Sequence, residues 1–203
     1  MLKRRDLLIG AASSAAVLAM PGVASAQSFP TVEEVLFDPE IPAQGNPEGK
    51  VTIGEFFDYQ CPFCKRGHDD LMKVVEDNDD VRLVMKDWPI FRGASVYASN
   101  LVLAAGNRYE DALHAIMATS GKLTNEDVDR VLEEAGLDPA ALLAAAKADA
   151  RRIDGILLRN MSQASAFGLS GTPVFIVGRQ LYNGAMDRQA LEEAVAAARD
   201  NSS

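Results

Sequence analysis

Residues 58–68 read Asp-Tyr-Gln-Cys-Pro-Phe-Cys-Lys-Arg-Gly-His and hold the only two cysteines of the chain. Upstream, Val51 to Tyr59 is a near-continuous apolar run with β-branched and aromatic residues, the pattern of a buried strand. Downstream, Cys64, His68, Leu71 and Val75 fall at i, i+4, i+7 and i+11, one stripe of a helix. The cysteines therefore sit where a buried strand hands over to a helix. A helix N-terminus presents free backbone N–H groups and the positive end of the dipole. Pro62 suits the first turn, where its missing N–H costs nothing. A thiolate at Cys61 is stabilised in that setting, and Cys64 lies within one turn of it, close enough to bond.

The pair can be a redox couple, a metal site or packing. Two cysteines are too few for a disulfide scaffold. A bridge between Cys61 and Cys64 closes a tiny loop and restricts the unfolded chain little. Cys61, Cys64 and His68 make C-x2-C-x3-H, and soft ligands of that kind suit copper. A structural zinc normally takes four ligands. The other histidine, His114, belongs to a later helical stretch, and no second C-x-x-C exists. Haem attachment needs a histidine where Lys65 stands. A non-enzymatic copper- or zinc-binding protein is thus the alternative from a different class, and no metal ligand set is assigned.

The chain opens with an export pattern. Lys3-Arg4-Arg5 is a positive n-region, Leu7 to Met20 is apolar and uncharged, and Ala24-Ser25-Ala26 is a small-x-small cleavage site. The Arg4-Arg5 pair resembles a twin-arginine signal, with Sec export the other route. Removing residues 1–26 takes away three of the 20 basic and one of the 29 acidic residues, leaving 17 against 28, a formal charge of −11. That acidity argues against nucleic-acid binding, which needs a basic footprint. Export places the cysteines outside the cytosol, where pairs can be oxidised; the expected location is the periplasm.

Beyond the first helix, Val81 to Met85 is a second strand. From Phe91 to Leu169 the pattern is helical. Thr124 caps a helix with Asp127 three residues on, Val128, Val131, Leu132 and Ala135 as its stripe and Gly136 as its stop. Asp138-Pro139 starts another. Ile153, Ile156, Leu157, Asn160, Met161 and Ala164 line a longer helix that Gly168 closes. Strands return at Pro173–Val177 and near Gln180–Tyr182. Asp187 caps a last helix with Leu191, Ala194, Val195 and Ala198 on one face. Before the first core strand, Pro30, Pro39, Pro42 and Pro47 leave room only for a short helix from Thr31 to Phe37. No dimerisation module fits there, so a monomer is expected.

A C-x-x-C at a strand–helix junction, Gly171-Thr172-Pro173 opening a later strand, and a helical insertion between them resemble the DsbA family of exported thiol–disulfide oxidoreductases. The run from Gly45 to Lys65 and Gly184-Ala185 are similar to its Com1/ScsC-like branch. The resemblance implies an α/β thioredoxin fold with an inserted helical domain: signal at 1–26, first part of the fold at 27–90, insertion at 91–169, second part at 170–203. It implies that Cys61 is an exposed nucleophile, Cys64 the buried resolving thiol, and Glu55 a buried acid that helps move the proton of Cys64. Thr172 and a cis Pro173 would present backbone to substrate beside Pro62 and Phe63. No cofactor is implied beyond the Cys61–Cys64 disulfide. The implied partners are folding exported proteins with cysteines and a membrane redox partner. The direction read from the sequence is oxidation, with isomerase or reductase activity as the alternative. Phe63 stands where well-known family members carry histidine, which removes a positive charge that favours thiolate at Cys61.

Overall fold

The computed structural model describes residues 29–201, and the export segment expected at 1–26 lies outside them. In chain order the first elements are α1 (Val32–Leu36), β1 (Ala43–Gly45), β2 (Val51–Phe57), α2 (Pro62–Glu76) and β3 (Val81–Asp87). The helical insertion supplies α3 (Ala94–Leu103), α4 (Tyr109–Met117), α5 (Asn125–Glu134), α6 (Pro139–Ala148) and α7 (Ala150–Ala166). The chain then returns through β4 (Val174–Val177), β5 (Gln180–Asn183) and α8 (Arg188–Asp200). The sheet order is β1-β3-β2-β4-β5, with β2 and β3 parallel and the other pairs antiparallel. This mixed α/β order is the thioredoxin arrangement with a helical insertion.

Every residue of β2 is buried, which is why it reads as an unbroken apolar run. Its alternate side chains serve two cores, as the period of a strand requires. Ile53 and Phe57 join α2, α8 and the insertion in the larger core. Phe56 joins Val35 and Leu36 of α1, Ala164 of α7, and Val174 and Ile176 of β4 in the smaller one. Gly54 lets α1 approach the bare strand: a Cβ there would stand 2.5 Å from Leu36 Cδ2. Glu55 lies between Ile53 and Phe57 and so shares the face that carries α2.

Local signals set the helix ends. Thr31 and Thr124 each form a capping box, with Glu34 and Asp127. Asp138 accepts from the N–H groups of Ala140 and Ala141, with Pro139 in the first turn. Gly136 at φ +74° ends α5, and the Leu137 N–H closes on the Leu132 carbonyl at 2.9 Å.

Three features depart from the sequence reading. The sequence reading names no strand between Pro42 and Pro47, yet Ala43–Gly45 pairs with β3; three residues fit between the prolines, and an edge position tolerates them. Met161, expected on the inner stripe of α7, is 52% exposed. The buried residues there are Ile153, Ile156, Asn160, Gln163 and Ala164, a stripe too narrow to include it. Asn160 is buried because its Nδ2 donates to the Asp87 carbonyl at 3.0 Å. Finally, His114 is no remote residue of the insertion: its Nδ1 lies 2.7 Å from His68 Nε2 on α2.

Candidate active site

The turn that delivers Cys61 is built by Asp58. Its carbonyl accepts from the Cys61 N–H at 2.9 Å, and its Oδ1 accepts from the Gln60 N–H at 2.7 Å. The same carboxylate accepts from Ser95 Oγ at 2.6 Å and from the Phe91 N–H at 3.0 Å. Cys61 then takes extended backbone angles as the N-cap of α2, with Pro62 in the first turn. Its Sγ accepts from the Cys64 N–H at 3.5 Å. Both cysteines are free thiols, so this is the reduced protein.

The two sulfurs have opposite electrostatics. Cys61 is pushed down to about 5, first by a hydrogen bond from the Cys64 thiol, against its own burial, then by the Thr172 side chain and the N–H groups of Cys64 and Phe63. Cys64 is pushed far up, first by burial, then by the bond it donates to Cys61 and by the charge of Glu55. Thr172 meets the same sulfur. Its carbonyl is 3.3 Å from Cys61 Sγ, a partner for the thiol, and its hydroxyl, buried without another partner, is a donor for the thiolate. The Thr172–Pro173 bond is cis.

Glu55 is 1% exposed and its Oε2 has no partner. Burial raises its carboxyl to about 8, helped by the charge of Cys61 and opposed by a hydrogen bond with Cys64. The structure therefore brings Cys61, Cys64, Glu55, Thr172 and Pro173 together. Phe63 is 53% exposed beside them, with the Arg66 guanidinium 4.5 Å above its ring.

The expectation of an exposed Cys61 is corrected. Cys61 is 2% exposed and Cys64 1%, because the Thr172 side lies directly on the Cys61 sulfur. Ionisation, not exposure, separates the two thiols. The C-x2-C-x3-H alternative meets a different geometry: His68 is buried and turned to His114. Among the described residues no group of three or more histidine, cysteine or carboxylate side chains is placed to hold a metal ion.

Sequence reasoning missed Asp58, Gln60 and Ser95. Asp58 had a readable signal, an aspartate two residues before the residue whose N–H it takes. Ser95 had none, since it comes from the insertion. Lys65 also reaches the insertion, donating to Thr119 Oγ1 at 2.8 Å and to the Gly121 carbonyl at 3.4 Å.

Comparisons with known proteins agree with this geometry. A family profile described as a DSBA-like thioredoxin domain matches residues 52–196. A thioredoxin-like oxidoreductase from Silicibacter pomeroyi DSS-3 is 36% identical with a TM-score of 0.80, over 84% of this chain and 99% of that one. The thiol-disulfide exchange protein alpha-DsbA2 from Wolbachia pipientis is 27% identical with a TM-score of 0.75, over 81% and 90%. A periplasmic thioredoxin-like protein from Salmonella enterica serovar Typhimurium is 26% identical with a TM-score of 0.73, over 82% and 94%. The curated relatives are Na(+)/H(+) antiporters; one from Salinispora tropica is 28% identical over 160 residues, 76% of this chain. The chain spans only about a quarter of that antiporter's length, 24%. The profile match runs from β2 to α8 and takes in both cysteines and the Thr172–Pro173 turn, so the chain belongs to the DSBA-like thioredoxin domain family.

Proposed function

We propose that this protein oxidises cysteine pairs in exported, folding proteins in the periplasm. A substrate thiolate attacks Cys61 Sγ of the Cys61–Cys64 disulfide. The S–S bond breaks, a mixed disulfide forms at Cys61, and Cys64 leaves as a thiolate that takes a proton from Glu55. A second substrate thiolate then attacks the substrate sulfur and expels Cys61 as a thiolate. The substrate loses two electrons, which the Cys61–Cys64 pair carries to a membrane redox partner.

The observation that carries the direction is the depressed Cys61 thiol at the start of α2. A stabilised thiolate favours the reduced form and makes the disulfide an oxidant. Burial and a raised pKa suit Glu55 to hold a proton near neutral pH and pass it to Cys64. Periplasmic location draws on the export pattern at 1–26 and on the Salmonella relative's description. A monomer is the reading for assembly, since α1 has only five residues and a helix that short is not stable alone.

The test sets oxidation of a reduced, unfolded substrate against repair of a scrambled one. Faster oxidation is expected. Faster repair, or a dimer or trimer in light scattering that dissociates on deletion of residues 27–45, would replace this reading with an isomerase.

A further inference from the structure

Gln60, the residue before the nucleophile, ties the active-site turn to the helical insertion at two separate points. Its Nε2 donates to Ser95 Oγ at 3.0 Å and to the Arg92 carbonyl at 3.4 Å. Its Oε1 accepts from the Leu123 N–H at 3.1 Å, 63 residues away in the chain. The amide thus uses both donors and its acceptor. The first partner closes a ring: Ser95 Oγ donates to Asp58 Oδ1, and Asp58 Oδ1 accepts from the Gln60 N–H. The peptide between Gln60 and Cys61 is held from the strand side by Asp58 and from the insertion by Ser95, Arg92 and Leu123.

That peptide sets where Cys61 Sγ lies relative to the Cys64 and Phe63 N–H groups. Those groups favour the thiolate together with the Cys64 thiol and the Thr172 side chain. Hydrogen bonds of this kind depend steeply on distance and angle. The Cys64 N–H bond is already 3.5 Å long, so a small shift of the turn weakens it.

We propose that Gln60 is a positioning residue for thiol–disulfide exchange: through Ser95 and Leu123 the helical insertion holds the Cys61 turn in the geometry that ionises its sulfur. The proposal rests on Cys61 being the reactive thiolate. A glutamine is suited because donor and acceptor ends are both needed. Glutamate would lose the donors and set a second carboxylate beside Asp58; methionine keeps the length and loses all three bonds.

The test is the pH profile of Cys61 alkylation, followed by absorbance of the thiolate, in the reduced full chain and in Gln60→Met and Ser95→Ala. Both variants should move the midpoint upward, Gln60→Met further. Cys61 reactivity at pH 4, below the midpoint, should fall about threefold to tenfold, the consequence of weakening a hydrogen bond of ordinary strength. The reduction potential should fall with it, while the circular dichroism spectrum stays as in the parent. Gln60→Met and Ser95→Ala proteins that are folded and titrate like the parent overturn the proposal. Failure of the underlying reading looks different: Cys64 alkylates before Cys61 in the unmodified protein.

Discussion

His68 and His114 face each other nitrogen to nitrogen at 2.7 Å, joining the active-site helix to the insertion. Only one proton can sit between them, and the other His68 nitrogen, Nδ1, is buried without a partner. Burial, then the neighbouring His114, pushes His68 down to about 4 from its usual 6.5. The unfolded chain therefore binds a proton at His68 before the folded one does. Stability linked to His68 is intact above pH 6.5 and is lost as pH falls toward 4. The loss is at most about 3 kcal/mol, at about 1.4 kcal/mol per pH unit. Urea titrations from pH 7 to pH 4 should show this slope, and His68→Gln should flatten it. An equal slope in His68→Gln would assign the acid sensitivity elsewhere.

Glu55 has the opposite sign. Its carboxyl is raised to about 8 from 4.5, chiefly by burial. The folded protein keeps a proton that the unfolded chain releases, so stability linked to Glu55 is full below pH 4.5 and declines up to pH 8. Glu55→Gln removes the decline and should stabilise the protein at pH 8, by no more than about 5 kcal/mol. The same variant should slow formation of the mixed disulfide, because the leaving Cys64 thiolate loses its proton donor. Stopped-flow exchange with a peptide thiol reads the rate, and denaturation at pH 5 and pH 8 reads the stability. An unchanged exchange rate would leave Glu55 a buried structural acid.

The strand–helix junction was legible in the sequence because β2 is buried on both faces and α2 has a clean inner stripe. Helix ends were legible wherever a side chain caps its own backbone, as at Thr124 and Asp138. What escaped was contact between distant segments. Ser95 and Leu123 meet Gln60 across 35 and 63 residues, and His114 meets His68 across 46. No periodicity encodes such pairs. The burial of Cys61 escaped for the same reason, since Thr172 covers it from 111 residues away. Lys86 and Asp87, fully buried at the end of β3, lie just past the strand read from the sequence as Val81 to Met85.

The largest cause of the low Cys61 value is the Cys64 thiol itself. Truncating Cys64 to alanine removes that donor, whereas serine keeps a hydroxyl in its place. The alkylation midpoint of Cys61, expected near pH 5 in the parent, should rise in Cys64→Ala and rise less in Cys64→Ser. Both variants should accumulate mixed disulfides with substrate, and Cys61→Ser should form none. Equal midpoints in the parent and Cys64→Ala would place the stabilisation in the Thr172 hydroxyl and the backbone N–H groups.

Position 63 is expected to tune how strongly the pair oxidises. The first turn of α2 carries no charge at this position, and the nearby cations are engaged: Lys65 with Thr119 and Gly121, Arg66 over the Phe63 ring. Phe63→His introduces a group that charges as pH falls below about 6.5. A cation there stabilises the Cys61 thiolate, favours the reduced form and raises the reduction potential. The Arg66 guanidinium resists protonation of the new ring, so the gain should be small at pH 8 and grow toward pH 6. Each 30 mV or so of increase corresponds to about 1.4 kcal/mol added to the stability of the reduced form over the oxidised. The reduced parent should already melt above its oxidised form, and Phe63→His should widen that gap. Equilibration with glutathione at pH 6, 7 and 8 measures the potential, and melts of both redox forms give the independent value. A potential that falls, or does not change with pH, would mean that position 63 does not act on Cys61 through charge.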